Sequence, residues 1–226
     1  MDGLLINSED IITDSINRVL EKYGRPAITG SIRAQIMDIY QNFPNCKPMP
    51  GSEKLLSALG HARNINGEPI LLGLASSTKT ESFDLKATQP ETKRLLDHIH
   101  PDRRVLGGDP RLRQGRGKPA PDTYLLALQV LNSDSQKPIM PNECLVFEDS
   151  VTGVEAGRRA GMRVIWVPHP DVAKEYESRK EDVLAGRCGT SNLGEEWQLG
   201  EVDDGWAECI SSLEAFDFKK YGISII

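Results

Sequence analysis

From Ser8 to Lys22 the apolar residues Ile11, Ile12, Ile16, Val19 and Leu20 recur at helical spacing, and Tyr23-Gly24-Arg25-Pro26 follows with Gly and Pro in the order that ends a helix. The pattern predicts an amphipathic helix. A shorter one at Ser31–Tyr40 (Ile32, Ile36, Ile39) predicts a second, and the breaker-rich stretch 42–51 reads as a linker before a helix from about Ser52 to Arg63. Pro69–Ala75 is a continuous apolar run ending in Ser76-Ser77-Thr78, which reads as a strand buried on both faces that feeds a helix N-cap. Further strands are predicted at Arg104–Gly107, Glu143–Glu148 and Arg163–Pro168, with helices at Asp122–Leu131 and Val151–Ala160. Alternating strands and helices imply an α/β fold with a Rossmann-like parallel sheet, whose reactive groups gather beyond the carboxyl ends of the strands. The polar, Gly-rich stretch 179–204 has no assignable structure, and Ile210–Asp217 reads as a short helix returning to the core. No internal repeat is visible.

Composition narrows the function classes. The 226 residues are 38% hydrophobic and 27% charged, without an uninterrupted apolar stretch near 18 residues, which argues for a globular protein and against a membrane partner. Met1 is followed at once by Asp2, and Leu4-Leu5-Ile6 is too short for a signal peptide, so a cytoplasmic location is expected. A formal charge of −6 disfavours nucleic acid as a partner while leaving room for a local phosphate pocket. Cys46, Cys144, Cys188 and Cys209 lack metal or disulfide spacing and are expected as reduced thiols, Cys144 buried.

Four short stretches carry candidate chemistry. Cys144–Ser150 delivers Glu148 and Asp149 from an apolar strand into a Gly-containing turn; two adjacent carboxylates there repel each other, and a hard divalent cation offsets the repulsion. The alternative is a helix cap at Asp149 or Ser150 with Glu148 as a strand-end charge. Ser76 is equally a cap or a phosphate-binding hydroxyl. Lys118 is stiffened by Pro119-Ala120-Pro121-Asp122 and can neutralise a phosphate, or is simply a solvated lysine. Asp2-Gly3 alone reads as a turn. The arginines 103, 104, 111, 113 and 116 read as a solvated loop, and no histidine or tryptophan is assigned chemistry.

Taken in order, Met1-Asp2-Gly3-Leu4-Leu5, Leu74-Ala75-Ser76-Ser77, Gly117-Lys118-Pro119-Ala120-Pro121-Asp122 and Val146-Phe147-Glu148-Asp149-Ser150 resemble the four motifs of the haloacid dehalogenase superfamily. The resemblance is strongest to its branch of pseudouridine-5′-phosphatases, sugar-phosphate phosphatases and β-phosphoglucomutases. It extends over Ser82-Phe83-Asp84-Leu85-Lys86, Val105–Pro110, Gly153–Met162 and Ser212–Asp217. It implies a phosphatase of small phosphate monoesters, nucleotide-like or sugar phosphates, working through an aspartyl-phosphate with Mg²⁺ as cofactor. Asp2 would be the general acid/base, its main-chain carbonyl touching the metal. Ser76, Ser77 and Lys118 would bind the substrate phosphate, Lys118 also neutralising the nucleophile, and Glu148 and Asp149 would be metal carboxylates.

Two departures qualify the likeness. The family's nucleophile stands two residues before the general acid, one residue before Met1, so the first core strand is expected to be missing. Loss of a nucleophile costs about 10⁴–10⁶ in turnover, so the chain as written is expected to be nearly inactive or incomplete. The helical cap expected between the first motif and Pro50-Gly51 is short by roughly 30 residues. The expected organisation is 1–12 as the start of the core, 13–48 as a truncated helical cap and 49–226 as the Rossmann-like core, in a monomer. The rival from another class is a non-catalytic, regulatory protein that keeps the phosphate and Mg²⁺ pocket; a phosphomutase and an unstable fragment complete the alternatives.

Overall fold

The structure is a computed structural model that describes residues 1–22, 42–133, 135–188 and 199–225. In chain order its elements are α1 (Ser8–Lys22), α2 (Ser52–His61), β1 (Leu74–Lys79), α3 (Thr80–Lys86), α4 (Pro90–Leu96), β2 (Arg104–Gly107), α5 (Asp122–Leu131), β3 (Leu145–Glu148), α6 (Val151–Arg159), β4 (Arg163–Trp166), α7 (Pro170–Glu175), α8 (Lys180–Ala185) and β5 (Ala207–Cys209). Every strand pairing is parallel, with helices between the strands, as the alternation predicts. Among the described residues the ladders are two rather than one: β1 pairs with β2, and β4 lies between β3 and β5. Among the described residues no strand bonds to the second edge of β1 or of β3.

α1 and α5 run over the predicted residues, and α1 crosses the expected boundary between core and cap without a break. The helix expected at Ser31–Tyr40, and the Gly-Pro stop before it, lie outside the described residues. The chain is described again from residue 42 and is tied to the start of the molecule. Ile6 bridges Pro48, Met49 N–H donates to the Leu5 carbonyl at 2.8 Å, and Asn7 N–H to the Lys47 carbonyl at 3.0 Å.

The strand expected at Pro69–Ala75 is displaced. Residues 70–73 have no ladder partner, because the segment that would pair with them, Pro101–Arg103, is a 3₁₀ turn; pairing begins at Leu74 with Arg104 and reaches Lys79 with Gly107. Ser76, Ser77 and Thr78 therefore belong to β1 and cap no helix, and α3 starts at Thr80. Burial along β1 alternates, with Leu74 and Ser76 buried and Ser77 exposed, so this strand is not covered on both faces. At the chain's end the expected helix reduces to a 3₁₀ turn, Leu213–Ala215, closed by the Ser212 hydroxyl accepting from Glu214 N–H at 3.0 Å. In 179–204, where no structure was assignable, α8 forms, and residues 189–198 lie outside the described ones.

The core has two main parts. One gathers Leu4, Leu5, Ile6, Leu55, Leu59, Leu74, Leu95, Leu96, Ile165 and Phe216, drawing on both ladders. The other packs α5 and α6 against the second ladder through Tyr124, Val146, Val154, Val164 and Trp166. Each such side chain contributes about 1.5–3 kcal/mol on leaving water. Cys144, expected to be buried, is half-exposed at the mouth of β3, whereas Cys46 is fully buried. Among the described residues no helix is long and apolar enough to cross a membrane.

Candidate active site

The first six residues turn back on themselves, with Leu5 N–H donating to the Met1 carbonyl at 2.8 Å, and the turn lies across the carboxyl ends of β1 and β3. Gly3 has φ +64°, and a β-carbon there would fall on the Asp149 carboxylate, so the turn approaches that acid as closely as only glycine permits. Asp2, beside it, is half-buried. The Lys86 ammonium lies 2.5 Å from its Oδ1, the Ser8 hydroxyl donates to the same oxygen at 2.5 Å, and the Thr78 hydroxyl donates to Oδ2. Burial would raise the carboxyl's proton affinity. The Lys86 charge, the amino terminus and the hydrogen bonds from Lys86 and Ser8 outweigh it and bring the pKa down to about 2.

β1 supplies the next groups. Ser76 is buried and its Oγ accepts from Thr78 N–H at 3.2 Å, while Ser77 points to the surface. Across from them Lys118 is held from three sides. It donates to the Ala75 carbonyl at 3.2 Å and to Glu148 Oε1, and it lies 4.7 Å from the centroid of the Tyr124 ring. Lys118 thus ties β1 to β3 where no backbone ladder does.

Glu148 is buried, and both of its oxygens are taken. Oε1 accepts from Lys118 and from the Tyr124 hydroxyl, Oε2 from the Ser150 hydroxyl at 3.1 Å. Burial pushes this carboxyl up, and the Lys118 charge more than compensates, leaving it below the usual carboxylate range. Gly153, in the first turn of α6, leaves no room for a side chain against it. Ser150 caps that helix, accepting from Gly153 N–H at 3.1 Å. Asp149 differs. Among the described residues no lysine or arginine pairs with it, and burial, then the Glu148 charge, push its carboxyl well above the usual range.

The structure therefore brings Asp2, Ser76, Lys118, Glu148 and Asp149 to one place and leaves Ser77 at its rim. Thr78, Lys86, Tyr124 and Ser8 complete it without a role in the sequence reading, and Ser150 caps α6 as the alternative reading of that stretch expects. A buried Lys86 ending a short helix was the one available signal, and only a known burial makes it informative. Of the basic stretch, Arg104 donates to the Leu96 and Ile99 carbonyls, Arg111 grips Asp109 and Arg116 pairs with Asp122 at 2.8 Å.

As the side chains stand, no group of three His, Cys, Asp or Glu among the described residues can hold a metal ion. A cation fits Asp149, a buried acid that no lysine or arginine among the described residues pairs with. It does not fit the Glu148 side chain, whose oxygens already carry donors.

Comparison with known proteins agrees with the geometry. A family model described as haloacid dehalogenase-like hydrolase matches residues 4–161. A Saccharomyces cerevisiae protein named a probable pseudouridine-5′-phosphatase is 33% identical, over 99% of this chain and 94% of its own. An uncharacterised Schizosaccharomyces pombe protein is 31% identical over 98% and 91%. The alignments to these two run to 253 and 258 positions, more than this chain has residues, so both relatives carry internal residues without a counterpart here. A mitochondrial (DL)-glycerol-3-phosphatase of Arabidopsis thaliana is 31% identical over 90% of this chain and 73% of its own. Among solved structures, a hydrolase of Deinococcus radiodurans with bound phosphate and sodium superposes with a TM-score of 0.57 at 25% identity, over 83% of this chain and 93% of its own.

Proposed function

The chain belongs to the haloacid dehalogenase-like hydrolases, and from that premise we propose that it is a Mg²⁺-dependent phosphatase of small phosphate monoesters, nucleotide-like or sugar phosphates. One observation carries the reading: the Lys118 ammonium is locked between the Ala75 carbonyl and Glu148, and the residue after Glu148, Asp149, is a buried acid that no lysine or arginine among the described residues pairs with. Such a pair suits a phosphoryl group, whose charge needs cations on more than one side.

In this reading Asp149 and the main-chain carbonyl of Asp2 would hold the metal, and Glu148 holds Lys118 in place from behind. Bound Mg²⁺ would supply charge neutralisation for the phosphoryl oxygens. Ser76 turns its hydroxyl to a phosphate oxygen, with Ser77 at the entrance. Asp2, ionised as it stands, takes a proton from the attacking water and passes it to the leaving oxygen of the next substrate, the general acid/base role the family likeness implies. The covalent step needs one more carboxylate, because Glu148 and Asp2 are both engaged by cationic and hydroxyl donors; the family likeness puts it immediately before Met1. Residues 13–48 would form a shortened cap over a core made of 1–12 and 49–226, in a monomeric cytoplasmic protein, and the extra internal residues of the relatives support the shortening.

The test is release of inorganic phosphate from p-nitrophenyl phosphate with and without Mg²⁺, by the 226-residue chain and by the same chain extended upstream by its in-frame codons. Mg²⁺-dependent turnover is expected from the extended form, with the 226-residue chain lower by about 10⁴ or more. Asp149→Ala abolishes turnover through lost metal; an undiminished rate in that variant refutes the site. The second reading, a phosphate- and Mg²⁺-binding protein without turnover, is favoured by the three donors on Asp2, and it stands if neither form releases phosphate while both bind it.

A further inference from the structure

Lys86 ends α3 with its side chain only 4% exposed. An ammonium taken out of water persists only where it is paired and hydrogen-bonded. Two groups receive it: Asp2 Oδ1, and the face of the Phe43 ring, whose centroid is 4.3 Å away. The carboxylate it grips is also gripped by Ser8, the first residue of α1, and by Thr78 on β1. An aspartate side chain turns about two bonds, and donors from three elements leave it one orientation. Lys118 cannot serve here, being spent on Glu148 and the Ala75 carbonyl. Phe43 packs with Ile16 of α1 in a small cluster that also takes in Leu85, the neighbour of Lys86. The segment that returns to the core at 42–45 thus presses on the lysine that fixes Asp2.

We propose that Lys86 is a positioning residue of the phosphatase reaction, orienting the ionised Asp2 carboxylate towards the attacking water, whose proton it takes, and that Phe43 positions Lys86 in turn. The proposal rests on the phosphatase reading and adds to it a group that touches neither phosphate nor metal.

The experiment measures kcat and KM for p-nitrophenyl phosphate with Mg²⁺, in whichever of the two forms turns over, for Lys86→Met, Lys86→Arg, Asp2→Asn, the Asp2→Asn/Lys86→Met pair and Phe43→Leu. Lys86→Met is expected to lower kcat by about 10²-fold, within the range that a general acid/base supplies, with KM changed by less than about threefold. Lys86→Arg restores most of the loss. Because Lys86 acts through Asp2, the double variant is no slower than Asp2→Asn alone, whereas a lysine that serves only the fold gives losses that multiply. Phe43→Leu leaves both charges in place, so it reads the same effect, a fall in kcat at constant KM, if Lys86→Met does not fold. Turnover that survives Lys86→Met, or losses that multiply with Asp2→Asn, overturn the role while the phosphatase stands. Absence of Mg²⁺-dependent turnover in both forms overturns the phosphatase reading, and this role with it.

Discussion

Donors converge on Glu148 from three residues, Lys118, Tyr124 and Ser150, and Tyr124 contributes twice, its hydroxyl to the carboxylate and its ring face to the ammonium. Burial, then the Glu148 charge, push the phenol well above its usual range, which keeps it a donor at neutral pH. Tyr124→Phe keeps the ring under Lys118 and deletes only the hydroxyl. It is expected to cost about 1.5–3 kcal/mol, the worth of a hydrogen bond to a charged acceptor, and a urea titration reads the loss. A change under about 0.5 kcal/mol would show that Lys118 and Ser150 satisfy Glu148 without it. The partners here explain what the sequence withheld. Glu148, Asp149 and Lys118 sit in short local patterns that the sequence singles out as candidates, each beside a blander alternative. Thr78 and Lys86 meet Asp2 across 76 and 84 residues of chain, and nothing in their own neighbourhoods announces the meeting.

Elements were legible where the period of apolar residues decides them and misplaced where a partner does. The repeating isoleucines of α1 and the apolar run into α5 set those helices without help, while β1 begins only where β2 offers a ladder. The polar approach to β5 shows the same dependence. Arg158 on α6, whose side chain is 4% exposed, pairs with Asp204, and Asp204 also accepts from the N–H of Glu201 and of Trp206. Burial raises the Asp204 carboxyl; the Trp206 N–H, the Arg158 charge and the Glu201 N–H bring it below the ordinary value. A depressed carboxyl stabilises the fold at every pH above its ordinary value and loses that contribution as the pH falls through the folded-state value. Asp204→Asn, which leaves a guanidinium buried without its counter-charge, is expected to cost about 3 kcal/mol at neutral pH and less in acid, where the wild type progressively loses the same contribution. Unfolding midpoints at pH 7 and pH 3 measure both numbers, and an equal cost at the two pH values would contradict the ion pair's role.

For the whole molecule the question is how a chain of net charge −6 draws in a phosphate dianion. Long-range attraction is excluded by sign, so binding must come from local cations, and at this site Lys86 is committed to Asp2 while Lys118 is shared with Glu148. Two acids consume the charge that phosphate needs, and on the proposed reading a divalent cation on Asp149 would tip the balance. Phosphate binding should therefore require Mg²⁺, and Mg²⁺ binding should be tightened by phosphate to the same degree, because the coupling is reciprocal. A ligand present at about 100 times its dissociation constant stabilises the folded state by about 2.7 kcal/mol, which for a chain of this size raises the melting temperature by roughly 5–10 °C. Inorganic phosphate and Mg²⁺ together are expected to give a shift of that order, and each alone much less. Lys118→Ala destabilises the protein by uncovering Glu148, so its ligand-induced shift, not its melting temperature, is the quantity to compare, and that shift should vanish. The measurement needs no turnover. Cooperative stabilisation without phosphate release identifies a binding protein built on an enzyme's fold, cooperative stabilisation with release identifies the phosphatase, and independent effects of phosphate and Mg²⁺ would mean that Lys118 and Asp149 do not serve one ligand.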